Sequence, residues 1–217
     1  MPSLDAIIAV ALAGLALSAT PGPSMLYVLS RTVGQSRAAG LASALGLCLG
    51  GIILAVASAL GLAAVLQQSD WLVTALRYVG SAYLIWLGLD MIRGAAAEAR
   101  ERLDVEKVQQ KSIASIVWQG ILVELLNPKT VLFFALFLPP FITAGDAHSA
   151  VPSVTAQLLV LGALVPLTAI PSDLVVAYMG GTMTKALNKN TAMRERMAWA
   201  GGLILIGIAL NLHLHFF

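Results

Sequence analysis

The sequence predicts an all-α, polytopic membrane protein of about six transmembrane helices, and three observations predict it. Of its 217 residues 59% are hydrophobic and 11% charged, with a mean hydropathy of +0.86, a composition outside the soluble range. The apolar residues gather into stretches of the roughly 20 residues needed to cross a hydrocarbon core of about 30 Å. The charges collect in short joints between those stretches, in alternation.

The expected spans, in order, are Leu4 to Leu29, Ala38 to Leu66, Trp71 to Ile92, Ile113 to Ile142, Val154 to Gly180 and Trp199 to Phe217. The first joint carries Arg31 and Arg37. The third, Arg93 to Lys111, and the fifth, Lys185 to Arg196, are rich in Lys and Arg. The second and fourth, Gln67 to Asp70 and Thr143 to Pro152, hold neither. The positive-inside rule therefore makes the first, third and fifth joints cytoplasmic and leaves both termini outside. No Lys or Arg precedes the first stretch, as a cleaved signal peptide would require, so it is expected to be a retained span.

An internal repeat is expected within this single membrane domain of residues 1–217. Thr20-Pro21 in the first span is echoed by Asn127-Pro128 in the fourth, and Gly80, Leu84, Ile85, Leu89 and Asp90 align with Gly201, Leu205, Ile206, Leu210 and Asn211. Two halves of three spans each must run in opposite senses across the bilayer. The halves are 1–92 and 113–217, joined by the charged cytoplasmic segment 93–112. Ala42, Gly46 and Gly50 give the second span a face for close helix packing, within the chain or across a homodimer.

The first and fourth spans are interrupted. Pro21-Gly22-Pro23 removes backbone donors and breaks a helix, and Asn127-Pro128 pairs a favoured N-cap with a favoured first helical residue, so a half-helix restarts there. Irregular backbone at membrane depth must face protein or a wet cavity, and first-turn amides make a ready site for a carboxylate. The candidate substrate-binding residues are accordingly Thr20, Pro21, Gly22, Pro23, Ser24, Asn127, Pro128, Lys129 and Thr130. To these is added Asp173, which follows Pro166 and Pro171 in the fifth span and reaches a depth similar to that of Ser24. A carboxylate within the bilayer costs about 2.5–3.5 kcal/mol on insertion scales, so Asp173 is expected to face the interior, binding a substrate ammonium or carrying a proton. Glu124 and Lys129 flank the second break; Asp173 and Glu124 are the candidates for proton coupling. Arg77 and Asp90 are expected to be structural.

Other chemistry is not encoded. Cys48, the only cysteine, is expected to be a packing residue and affords no disulfide or cysteine metal site. His213 and His215 point apart on a helix, and His148 sits in an external joint, so no metal site is expected. There is no phosphate loop, no recognisable nucleophile with its base, and no basic surface for nucleic acid. The expectation is a protein that is no enzyme and carries no cofactor.

Ala19-Thr20-Pro21-Gly22-Pro23, Gly40, Gly46 and Leu126-Asn127-Pro128-Lys129 before Leu132-Phe133-Phe134 resemble the lysine exporter and homoserine/threonine exporter (LysE/RhtB) family over nearly the whole chain. Pro21, Gly22, Pro23, Asn127, Pro128, Lys129 and Asp173 match its motif positions. The resemblance implies a bacterial inner-membrane, multi-pass secondary transporter that exports amino acids or related solutes, coupled to proton entry. Its expected partners are the amino acid, protons and the lipid bilayer. The alternative is a cation or hard-metal exporter using membrane-embedded carboxylates.

Overall fold

The computed structural model describes residues 2–19, 22–66, 70–100, 108–142 and 153–214, and among these the chain is helical throughout, without a strand. Eight α-helices follow in order: α1 Leu4–Ala19, α2 Pro23–Gly34, α3 Arg37–Leu66, α4 Asp70–Arg100, α5 Ile113–Leu125, α6 Pro128–Leu132, α7 Val154–Lys189 and α8 Thr191–Leu214. A π-helical turn, Phe133–Phe137, and a 3₁₀ turn, Pro139–Phe141, continue α6.

Short polar side chains set many of the starts. Ser3, Ser36, Ser112, Ser153 and Asn190 each accept a hydrogen bond from the amide three residues on, opening α1, α3, α5, α7 and α8. Such a cap contributes about 1 kcal/mol by satisfying an amide that has no partner within the helix.

Both expected interruptions are present. The chain bends by 51° between α1 and α2, and by 50° between α5 and the α6 segment. The first restart is displaced from its expected position: α2 begins at Pro23 with Gly22 as the extended N-cap residue, while Thr20 and Pro21 lie outside the described residues. Proline at the first helical position remains the operative signal, since its missing N–H would be unpaired there in any case. In α7, Pro166 and Pro171 are accommodated without a break.

Among the described residues two unbroken helices, spanning residues 37–62 and 154–180, can cross a membrane on length and composition, and four spans qualify when each bent pair counts as one. The sequence predicts about six. The remaining two, α4 and α8, are long enough at 31 and 24 residues.

The helices α3 and α7 cross at the centre, with α5 against α3 and α1 against α7; α4 pairs with α8, which also touches α1, and the π and 3₁₀ turns lie on α4. The main apolar core is built from Val10, Leu84, Phe133, Phe137, Leu158, Leu161 and Leu205. Leu45, Ile53, Leu60, Trp86, Trp118 and Tyr178 are exposed on the outside, as a lipid-solvated surface requires.

The small-residue face of α3 packs within the chain. A Cβ on Gly46 would strike the Val117 carbonyl, and one on Gly50 would lie 2.7 Å from the Glu124 Cβ, so α5 approaches α3 at backbone distance. Gly120 answers from α5, against Ser43 and Gly46. Gly46→Leu is expected to destabilise the fold by about 1–3 kcal/mol, as overpacked cores do. A lower Tm of the detergent-solubilised protein checks this; an unchanged Tm would mean the two helices are not this close. The α4–α8 crossing also rests on glycines, though at a different pair from the aligned Gly80 and Gly201. A Cβ on Gly88 would lie 2.6 Å from the Gly202 carbonyl, and one on Gly202 2.5 Å from that of Gly88.

Candidate functional site

The two breaks meet. Gly22, Pro23 and Ser24 from the first, and Asn127, Lys129 and Thr130 from the second, line one cavity together with Glu124 and Asp173. Eight of the expected site residues and proton-coupling residues are therefore brought together. Pro128 lies just outside, in a shallower groove beside α2 and α5. Thr20 and Pro21 lie outside the described residues.

Each break braces the other. Glu124, in the last turn of α5, accepts from Ser24 Oγ at 2.6 Å through one carboxyl oxygen and from Thr130 Oγ1 at 2.9 Å through the other. Asn127 caps α6 by accepting from the Lys129 amide at 3.1 Å, and its Nδ2 donates to Ser24 Oγ at 3.0 Å. Asn127 and Thr130 are almost fully buried, so each of these bonds spares a polar group the cost of dehydration without a partner. The Lys129 ammonium donates to the Leu17 carbonyl at 3.3 Å, in the last turn of α1. A helix C-terminus carries partial negative charge, which favours a cation there. Tyr83 from α4 donates to the Lys129 carbonyl at 3.4 Å and steadies the restart.

Asp173 approaches from α7. Its carboxyl group is within electrostatic range of Glu124 and Cys48, and among the described residues no hydrogen bond reaches it. Glu124 from α5, Lys129 from α6 and Asp173 from α7 thus line one cavity, together with the apolar Leu17, Leu47, Phe134, Val165 and Pro166.

Two features go beyond the sequence reading. The hydroxyls of Ser24 and Thr130, beside the half-helix starts expected to take a carboxylate, both donate to Glu124, the protein's own acid. Cys48, expected only to pack, lies on the cavity wall. Its place one turn before Gly51, where α3 presses against Pro166 of α7, is the signal that could have located it. Leu17 went unnoticed because it acts through its carbonyl, and Phe134, noted only within the run Leu132-Phe133-Phe134, reaches the cavity from the π turn that follows α6. Asp90 is exposed.

The chain matches the family model described as LysE type translocator over residues 15–215. It is 36% identical to an uncharacterised membrane protein of Pseudomonas aeruginosa over 59% of this chain and 60% of that protein. It is 29% identical to the threonine efflux protein of Escherichia coli K12, over 58% and 61% of the two chains. It is 24% identical to the leucine efflux protein of an Enterobacter strain, over 88% and 87%. The first and second alignments thus span about three-fifths of those relatives' length. No solved structure matches the chain.

Proposed function

This chain belongs to the LysE type translocator family, and we propose that it is a secondary transporter exporting amino acids or related small zwitterionic solutes across the bacterial inner membrane in exchange for protons. The observation that carries this reading is the cavity between the two breaks, with Asp173 on one wall and Lys129 on another. The substrate ammonium lies near Asp173. Its carboxylate lies near Lys129 and the first-turn amides of α2 and α6, which have no acceptor within their own helices. Protonation of Asp173 then releases the ammonium, and Glu124 is the second proton-carrying group. Relatives named threonine and leucine efflux proteins support an amino-acid substrate.

The two halves, 1–92 and 113–217, act as inverted repeats about the cavity, joined by the cytoplasmic segment 93–112. Support comes from the pairing of α3 with α7 and of α4 with α8, each a first-half helix with its second-half counterpart, and from the reciprocal contact of Gly88 and Gly202.

A cation exporter would use Asp173 and Glu124 as hard oxygen ligands. Among the described residues no group of three or more His, Cys, Asp or Glu gathers to hold a metal ion, and a hard cation calls for more oxygen ligands than two carboxyls. The amino-acid reading is therefore preferred. A tolerance screen separates the two: cells expressing the chain, grown with single amino acids in excess or with divalent metals, should gain tolerance to one or more amino acids. Tolerance to metals alone would replace the amino-acid reading with the cation one. No gain in either arm, with Pro23→Ala and Pro128→Ala harmless to the fold, would point to a non-transporting protein.

A further inference from the structure

We infer that α2 and α5 form a gate between the cavity and the basic side of the protein, closed here by a polar seam whose outer bolt is Arg31. The inference rests on reading the cavity as the transport site.

The seam runs along one face of α2. Ser24, Tyr27 and Arg31 fall within roughly 60° of arc on a helix of 3.6 residues per turn, with Gln35 at its C-cap. Each donates toward α5 or the stretch leading into it. Ser24 reaches Glu124, and Tyr27 Oη reaches the Ile116 carbonyl at 2.7 Å. Arg31 reaches the Gln109 carbonyl and Gln119 Oε1, both at 2.9 Å. Gln35 donates to the Lys111 carbonyl at 2.7 Å and accepts from the Lys111 amide at 3.1 Å. The stretch 108–112 is irregular backbone, so these side chains supply hydrogen bonds that a helix would otherwise provide. Gly34 lets it approach: a Cβ there would lie 2.8 Å from Val108.

Three features distinguish this seam from a packing contact. The apolar side of α2, with Met25, Val28 and Leu29, is committed to Leu47 of α3 and to Val176 and Ala177 of α7. Across the seam, beside Val123 and Ile116 of α5, run the hydrogen bonds named above, and these can exchange for water when the helices part. Next, Arg31 is 5% exposed, its Nε has no partner, and both acceptors of its other donors are neutral. A buried cation held by neutral acceptors and by the Tyr27 ring, whose centroid is 5.7 Å from the guanidinium carbon, gains hydration when the seam opens. Finally, α2 and α5 are both half-helices, each joined to the rest of its span through a bend at the cavity, 51° in one case and 50° in the other. Rotation at the two bends would part them while leaving α1 and the π turn packed in the main core. The positive-inside rule assigns the Arg31, Arg37 and Lys111 end to the cytoplasm, so this gate admits substrate from inside the cell.

Cys48 offers a direct readout, being the only cysteine and lying on the cavity wall. The full chain in inside-out membrane vesicles is treated with a membrane-impermeant maleimide, and the rate of Cys48 modification is compared with that in right-side-out vesicles. Arg31→Gln should raise the rate from the cytoplasmic face by at least about fivefold, the scale of removing one or two hydrogen bonds, and leave the rate from the outer face unchanged. Gln119→Leu should shift it in the same direction, and Gln35→Ala provides the test where Arg31→Gln does not reach the membrane. Unchanged cytoplasmic rates across these variants, or equal rises from both faces, would overturn the gate. The labelling needs no substrate, so a failed amino-acid assay leaves this result readable. Conversely, an unmoved labelling rate alongside intact export would discard the gate alone.

Discussion

Replacing Asp173 with Asn is expected to lower amino-acid export by at least about tenfold, with the protein still present in the membrane at its normal level. Asn has nearly the same shape, so the packing of α7 beside Pro166 and Pro171 survives. What disappears is the negative charge and the ability to take up and release a proton. A charge-assisted hydrogen bond contributes about 1.5–3 kcal/mol, and each 1.4 kcal/mol is a factor of ten in binding. No hydrogen bond to Asp173 from the described residues would have to be broken before the substrate ammonium could use it. The variant should also lose its response to an imposed pH gradient. Export rates from cells or vesicles at matched protein levels check both effects. A variant that exports at the wild-type rate and keeps its pH dependence would remove Asp173 from the site.

The second large effect is expected at Glu124, and there Ala and Gln should part company. Glu124→Ala strips the acceptor from both Ser24 and Thr130 and cuts the link between the two restarted helices. Thr130 is nearly fully buried, so its hydroxyl would be left unpaired, at about 1–3 kcal/mol. The total should be about 2–4 kcal/mol, or roughly 5–15 °C in Tm for a chain of this size. Glu124→Gln retains one acceptor and much of the shape. It should melt within a few degrees of wild type yet export poorly, because it can no longer exchange a proton. Tm in detergent, measured beside export, separates the roles: two variants that melt alike would show that Glu124 does not brace the breaks, and full export by Glu124→Gln would show that it carries no proton.

Much of this was legible in the sequence because the strongest signals are local. Proline at a capped restart marks a break wherever it occurs, and both breaks are where Pro23 and Asn127-Pro128 announce them, with the restarted helices beginning at Pro23 and Pro128. The depth of Asp173 could be counted along a helix of known rise, and it does line the same cavity as Ser24. The small face of α3 was equally legible, but its partner was not, since nothing in Ala42, Gly46 and Gly50 names the face of α5 that they meet. Non-local pairing explains the remaining differences. Glu124 lies 100 residues from Ser24, and only the folded chain could show that the protein's own carboxyl accepts from the hydroxyls beside both restarts. Arg31 read as an ordinary basic joint residue because its charge suited the positive-inside count; its burial depends on Gln109 and Gln119, which arrive from across the chain.

The measurement that bears most directly on the central claim is efflux of a labelled amino acid from proteoliposomes containing the purified chain, with a tolerance-screen hit as substrate. The wild-type protein should release it well above protein-free liposomes, faster with a proton gradient directed inward, and Asp173→Asn should fall to near background. Release no faster than from protein-free liposomes, or equal release by wild type and Asp173→Asn, would contradict the account of a cavity that moves amino acids between two broken helices.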